Sequence, residues 1–167
     1  MEKLLFFGLI FIASFSLFAQ TADKIETEYY GLKWGCSPAE LKAKYPSAYS
    51  EGKNKEGDDV YGLDTNDAIR VFCFGNNKLY WGRIIYEDCT ADKTMALLEK
   101  ITGTYGKFDD FSRKSSNEGV ATIHYSSKIT ITVRIKDNSL MITYTNAILN
   151  LQITKDRIEK MQDDLEI

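Results

Sequence analysis

The chain contains 167 residues, of which 44% are hydrophobic and 27% are charged, and its formal net charge is −3. This composition is typical of a globular protein and excludes an intrinsically disordered one. Acidic and basic residues are interspersed, so the chain has no large positive field to attract a phosphate backbone, and we expect no nucleic-acid partner.

Residues 1–19 have the pattern of a secretory signal peptide. Lys3 precedes an almost wholly apolar run over residues 4–18, and Ala19 provides the small residue that a signal peptidase requires. The run is shorter than the roughly 20 residues of a membrane-spanning helix, and no second run of that length follows. The alternative is a retained anchor, but the length favours cleavage. We therefore expect an exported protein, periplasmic or secreted, without a membrane span.

The first predicted helix follows a polar stretch, residues 20–29, which we expect to be a flexible leader. Ser37 is followed by Pro38 and then by Glu40, an arrangement that forms a capping box with proline at the first helical position. This pattern predicts a helix that begins at Pro38 and ends near Tyr45.

A loop and a β-hairpin are predicted next. Residues 50–59 are mostly charged or glycine, which indicates a solvated loop. A strand over 60–63 precedes a hairpin of strands 69–74 and 79–87, and Asn76-Asn77 is the expected two-residue turn.

Both faces of this predicted hairpin are apolar. The two-residue turn pairs Phe74 with Leu79. It also pairs Phe72 with Trp81, which gives one strongly apolar face. The opposite face then carries Val71, Cys73, Tyr80, Ile84 and Tyr86. Such a hairpin is either buried on both sides or exposes a patch that another element must cover.

A second helix is predicted over residues 93–105, with Thr90 or Asp92 as its N-cap. Its apolar side chains recur at helical spacing: Leu97, Leu98, Ile101 and Tyr105. A strand near 108–112 follows.

Three further strands complete the predicted sheet. Apolar and polar residues alternate strictly over 128–135, which indicates a strand with one solvent-exposed face. A two-residue turn at Asp137-Asn138 pairs this strand with 140–144. A three-residue loop pairs the same strand with residues 121–125. In that register His124 faces water.

The order of these elements repeats. Residues 30–89 and 90–146 each read as a helix followed by three or four strands, so we predict two tandem pseudo-repeats within one domain over 30–146. The predicted fold class is α+β: an antiparallel sheet with helices packed on one face, followed by a C-terminal helix over 147–167.

The C-terminal helix carries an apolar stripe of three residues spaced seven apart: Leu151, Ile158 and Leu165. One interpretation is that this stripe packs on the domain and covers the second face of the first hairpin. The alternative is that the helix protrudes and meets a partner.

The sequence offers few candidate residues for a disulfide, a metal site or catalysis. Cys36, Cys73 and Cys89 are either buried thiols or include one disulfide, whose pairing the sequence leaves open. A zinc site would need a fourth ligand, and His124 is the only histidine, so we expect no metal and no cofactor. No side chain near His124 in the sequence would orient it as a catalytic base, so we expect no enzyme activity.

Aromatic residues are the better candidates for binding. Trp34, Tyr80 and Trp81 are the residues we expect to contact a partner, together with the stripe on the C-terminal helix. The favoured function is therefore binding of another envelope or secreted protein. The alternatives are a periplasmic carrier of a small apolar ligand and, third, a hydrolase of unrecognised type.

One segment carries a family resemblance. Residues 30–35, Tyr-Gly-Leu-Lys-Trp-Gly, followed by Ser-Pro-Ala-Glu-Leu at 37–41 and by Tyr105-Gly106, resemble small exported bacterial proteins of unknown function that open with Gly-x-x-Trp-Gly-x-Ser-x-x-Glu. In layout the chain is more remotely similar to the beta-lactamase inhibitor protein and to outer-membrane assembly proteins of the SmpA/OmlA type. Those are binding modules, which implies a binding function. The lipid-accepting cysteine of the latter is lacking at the cleavage site.

Overall fold

A computed structural model describes residues 22–115 and 118–165 as an α+β fold. The predicted signal peptide at 1–19 lies outside the described residues. The helices are α1 (Ala22–Ile25), α2 (Pro38–Lys44), α3 (Ala91–Tyr105) and α4 (Ala147–Asp164). The strands are β1 (Glu28–Tyr29), β2 (Leu32–Lys33), β3 (Tyr49–Lys53), β4 (Asp59–Asp64), β5 (Ile69–Gly75), β6 (Lys78–Tyr86), β7 (Asp110–Arg113), β8 (Glu118–His124), β9 (Ile129–Lys136) and β10 (Ser139–Asn146).

Eight strands form one antiparallel sheet in the order β3-β4-β5-β6-β10-β9-β8-β7, and β1 and β2 form a separate small pair. Helix α2 with β3–β6 repeats as α3 with β7–β10. The two units join edge to edge where β6 pairs with β10. The predicted fold class is confirmed, because each unit is a helix and four strands.

The caps predicted from sequence are present at the two helices that begin the repeats. At α2, the Ser37 side chain accepts the backbone N–H of Glu40, while the Glu40 carboxylate accepts the backbone N–H of Ser37 at 2.8 Å. The hydrogen bonds that the Ser37 backbone N–H and hydroxyl donate to the Glu40 carboxylate lower the pKa of Glu40 below its usual value. At α3, Thr90 is the N-cap and accepts the N–H of Lys93.

The sheet has two faces with different coverings. The helix face is the one that α2 and α3 cover, and it forms the larger core with Phe72, Phe74 and Leu79 at 0–1% exposure. The second face is the opposite one. There a smaller cluster of Val60, Val71, Cys73 and Tyr80 packs against Ile153 of α4.

The register of the second hairpin is confirmed. Ile135 pairs with Leu140 and Val133 with Ile142, across the two-residue turn at 137–138. On the other side of β9, Ile123 pairs with Ile131. His124 is therefore exposed, as predicted, and its Nε2 lies 3.5 Å from an Asp110 carboxylate oxygen.

The register of the first hairpin is correct only next to its turn. Phe74 pairs with Leu79, but a β-bulge shifts the register after Phe74, so that Cys73 pairs with Trp81 and Phe72 with Gly82. The predicted pair of Phe72 and Trp81 is thus wrong. A bulge adds one residue to one strand and reverses the alternation beyond it.

The bulge changes which face several side chains occupy. Trp81 joins Tyr80 on the second face, whereas Ile84 and Tyr86 belong to the helix-face core and not to the second face as predicted. Gly82 leaves room for the Tyr29 ring: a Cβ placed on Gly82 would lie 2.1 Å from Tyr29 Cε1.

Two predicted irregular segments are in fact structured. The described part of the expected flexible leader, residues 22–29, contains α1 and β1, and Ile25 and Tyr29 are fully buried. Residues 50–53 of the expected loop belong to the exposed edge strand β3. Both predictions are wrong because they rested on the polar composition of each segment. Contacts with residues distant in the sequence order these segments, and local composition does not indicate such contacts.

Candidate functional site

An open groove of about 730 Å³ lies on the second face of the sheet, beside α4 and the loop 54–58. Strands β3–β6 and β10 form its floor. Its lining combines an apolar floor, several cations and a few carboxylates: Glu51, Lys53, Asn54, Lys55, Glu56, Val60, Val71, Tyr80, Trp81, Arg83, Ile85, Thr143, Thr145, Asn150 and Arg157. This groove is the candidate functional site.

Helix α4 forms one wall of the groove because its first half packs on the sheet. Ile153 is 1% exposed and lies over Gly75, where a Cβ would approach Ile153 Cγ2 to 2.7 Å. Asn76 at the hairpin turn donates a side-chain hydrogen bond to Asp156 at 2.9 Å. A side chain at position 75 would therefore push the helix away from the sheet.

A buried polar network ties α4 to the loop 54–58. Asp58 is 5% exposed, and its carboxylate forms an ion pair with Arg157 of α4. The Tyr80 hydroxyl donates to the same carboxylate at 2.7 Å, and the Asn54 side-chain amide donates at 3.2 Å. Asp58 thus has partners from the sheet, the loop and the helix, which satisfies the requirement that a buried charge be paired.

The loop that carries Asp58 is held by its own side chains. The Asn54 Oδ1 accepts the backbone N–H groups of Glu56 and Asp58 at 3.0 and 2.9 Å. Asparagine stabilises turns by such bonds to the backbone. The acid is therefore placed by a local turn as well as by its ionic partner.

The network does not supply a nucleophile at neutral pH. Burial raises the pKa of the Cys73 thiol to about 12, and the nearby Asp58 charge acts in the same direction. Burial and the hydrogen bond to Asp58 also raise the pKa of Tyr80. Both groups hold their protons at neutral pH, so their role in this network is to pack and to donate hydrogen bonds.

The floor of the groove presents an aromatic ring and an arginine together. The Arg83 guanidinium lies 4.9 Å from the centre of the Trp81 ring, within the range of a cation–π contact. Arg83 Nε–H donates to Thr143 Oγ1 at 3.0 Å, which fixes the guanidinium across β6 and β10. Trp81 is half-buried and is reachable from the groove.

The structure separates the three aromatic residues predicted to bind. Trp81 lines the groove, and Tyr80 lies beneath it at 4% exposure. Trp34 belongs to the helix face: its indole N–H donates to the Ile25 carbonyl at 2.7 Å, and its ring stacks on Tyr29 at 5.9 Å. Trp34 therefore anchors the N-terminal segment and does not lie in the groove.

The predicted stripe on α4 points away from the sheet. Leu151, Ile158 and Leu165 are 57%, 46% and 66% exposed, whereas Leu149 and Ile153 contact the second face. Helix α4 does cover the second face of the first hairpin, as predicted, but with a different set of residues. The two sets lie on opposite sides of one helix because they differ by about half a turn.

The three cysteines are buried free thiols. Cys73 lies on the second face, whereas Cys36 and Cys89 belong to the helix-face core, so the sheet separates Cys73 from the other two. The structure thus favours the buried-thiol interpretation over a disulfide. Burial raises the pKa of Cys36 to about 11.

Sequence reasoning missed Asp58, Arg157 and Arg83 as members of the site. Asp58 was part of a charged loop, and Arg157 was part of a charged helical run, so neither could be distinguished from solvated surface. The available signal was the short turn at Asn54, which orders the end of that loop.

Over residues 22–115 and 118–165, no group of three or more histidine, cysteine or acidic side chains is arranged to hold a metal ion. Among the same residues, no helix has the length and apolar character that would let it cross a membrane. Comparison of the chain with protein-family models, curated proteins and solved structures found no match.

Proposed function

We propose that this protein is an exported, non-enzymatic binding protein that engages a segment of another envelope or secreted protein in the second-face groove. The observation that carries the proposal is the half-buried Trp81, which forms the floor of an open groove and contacts Arg83. Tryptophan and arginine are the residue types most enriched among those that dominate protein–protein binding energy.

The composition of the groove supports a protein ligand. Val71 and Ile85 on the floor offer apolar area, while Lys53, Lys55 and Arg83 offer charge at the rim and floor. Protein interfaces combine an apolar centre with a polar rim in this way. The protonated state of Cys73 and Tyr80 at neutral pH argues for binding over nucleophilic catalysis.

A capture experiment with matched variants tests the proposal. Purified protein is immobilised and exposed to envelope extract, and bound proteins are identified by mass spectrometry. We expect Trp81→Ala to lose a partner that the original protein retains. Phe111→Ala removes another aromatic ring, 69% exposed on the edge strand β7, and should retain that partner.

Two results would contradict the proposal. One is recovery of the same proteins by the original protein and by Trp81→Ala, with circular dichroism showing both folded. The other is a small apolar molecule that co-purifies with the protein in native mass spectrometry and is lost from Trp81→Ala, which would favour the carrier function.

A further inference from the structure

Two arginines occupy the open part of the second face, next to the groove. Arg83 on β6 pairs across the sheet with Thr143 on β10, which pairs with Thr132 on β9. Arg134 is two residues beyond Thr132 on the same strand and faces the same side. The two arginines are therefore two strands apart, about 10 Å across the sheet. Their side chains both line a cavity of about 270 Å³.

Neither arginine has a carboxylate partner among the described residues. The other cations of the groove are paired: Lys53 Nζ lies 2.8 Å from Asp59, Lys55 Nζ lies 3.6 Å from Glu56, and Arg157 pairs with Asp58. For Arg83 and Arg134 no acidic group of the described chain lies within 4.0 Å. Guanidinium groups form strong charge-assisted hydrogen bonds with anions, so this pair is a candidate for anion binding.

The lining of the cavity suits a carboxylate. Besides the arginines it contains Thr132, Met141 and Thr143, so hydroxyl groups alternate with apolar atoms. Burial lowers the pKa of Arg83, and the nearby positive charge of Arg134 lowers it further because like charges repel. An anion that contacts both guanidinium groups would remove this repulsion.

The cavity adjoins the groove. Arg83 and Thr143 line both of them, so a ligand long enough to span the two can contact the arginines and Trp81 together. An inorganic anion would fill only the smaller cavity. A peptide can place carboxylates at the arginines and an apolar side chain against Trp81 and Ile85 at the same time.

We propose that Arg83 and Arg134 bind the carboxylates of an acidic peptide segment whose neighbouring apolar side chain packs on Trp81. This proposal rests on the proposed function and specifies the partner's chemistry: glutamate or aspartate residues next to a leucine-like residue. Arginine binds carboxylates through paired, charge-assisted hydrogen bonds, which makes this contact selective.

Peptide titration followed by NMR spectroscopy tests the site. The probes are the blocked peptide acetyl-Leu-Glu-Gly-Glu-amide, the matched acetyl-Leu-Gln-Gly-Gln-amide and inorganic phosphate. The signals are the Trp81 indole N–H and the Arg83 Nε–H, which the bond to Thr143 protects. We expect the glutamate peptide to shift both signals and to bind at least about tenfold more tightly than the glutamine peptide, which corresponds to one charged contact.

Variants show whether the two arginines are responsible. Arg134→Gln removes a charge from an exposed position and should fold normally, with about tenfold weaker binding of the glutamate peptide. Arg83→Gln should weaken binding at least as much. Arg113→Gln makes the same change on the exposed edge strand β7 and should leave the affinity unchanged.

Three outcomes would overturn the inference: equal binding of the two peptides, tighter binding of phosphate than of the glutamate peptide, or full affinity in Arg134→Gln. None of them concerns capture of a protein partner through Trp81. A negative peptide titration would therefore contradict only the acidic-peptide site. The proposed function is tested separately, by the capture experiment with Trp81→Ala.

Discussion

The two faces of the eight-stranded sheet differ in what completes them. The helix face is closed by the helices of both repeats and by the N-terminal segment, and its aromatic rings contact one another, as Tyr29 does with Phe72 at 5.3 Å. Among the described residues, α4 covers the first half of the second face, and the remainder carries threonines and two arginines that have no carboxylate partner there. The closed face contributes the larger core, whereas the half-covered face is the one on which we propose binding.

Alkaline pH should have the largest effect, because it acts on the closed face as a whole. Burial raises the pKa of Tyr29 and Tyr144, and burial raises the pKa of Tyr105 to about 12. A raised pKa means that stability is full below the unfolded value of about 10 and is lost as the pH rises through the folded value. Urea unfolding at a series of pH values should show this decline.

Tyr144→Phe tests how much one buried tyrosine contributes to the loss of stability at alkaline pH. Phenylalanine fills nearly the same volume without an ionisable hydroxyl, so the variant should lose less of its stability between neutral and alkaline pH than the original protein. An identical decline in both proteins would show that this tyrosine does not contribute.

Phe72→Ala should be the most damaging single truncation. Phe72 is fully buried on the helix face between Tyr29 and Tyr45. We expect the free energy of unfolding to fall by about 4 kcal/mol, from lost burial and the cavity left behind. The control is Phe111→Ala at the exposed edge, for which a change above about 0.5 kcal/mol would contradict our assignment of the core.

Ile153→Ala tests the covered half of the second face. Ile153 is buried against Gly75, so we expect a loss of about 3 kcal/mol in urea unfolding and increased binding of a hydrophobic dye. Ile158→Ala makes the same change on the exposed side of the same helix and should alter neither measurement. Equal effects would mean that α4 does not pack with the side we describe.

Asp58→Asn tests the network that holds α4. The amide cannot neutralise Arg157 and cannot accept hydrogen bonds as strongly from Tyr80, so we expect a loss of about 2 kcal/mol. Cys73 lies directly behind this carboxylate, 3.9 Å away. In Asp58→Asn we expect Cys73 to react with a thiol reagent faster than Cys36 does. If Cys73 reacts at the same rate as in the original protein, a loosened helix is excluded.

Ser37→Ala should have the smallest effect, because it removes one cap of α2 at the rim of the helix face. We expect a loss of about 1 kcal/mol in urea unfolding. Binding at the second face should not change. A folded Ser37→Ala protein with weaker peptide binding would show that the two faces are not independent.

Regular patterns of the sequence predicted much of this fold. The alternation in β9, the turn at 137–138 and the caps at Ser37 and Thr90 are local signals, and each one is found where it was expected. The site was less predictable. The sequence predicts Trp81 as a contact residue, which stays a prediction, but the predicted face of Trp81 is wrong because one bulge in β6 reverses the side chains beyond it.

Local patterns were sufficient to predict the fold class, the starts of α2 and α4, the N-cap of α3 and the alternating strand β9, since these depend on residues close together in the chain. Which side of α4 meets the sheet depends on tertiary packing, because the helix has apolar residues on both sides and it is Ile153 that packs against Gly75. Tertiary packing also brings Asp58 to Arg157, a partner 99 residues away, and places Arg83 and Arg134 on one cavity to which the described residues contribute no acid.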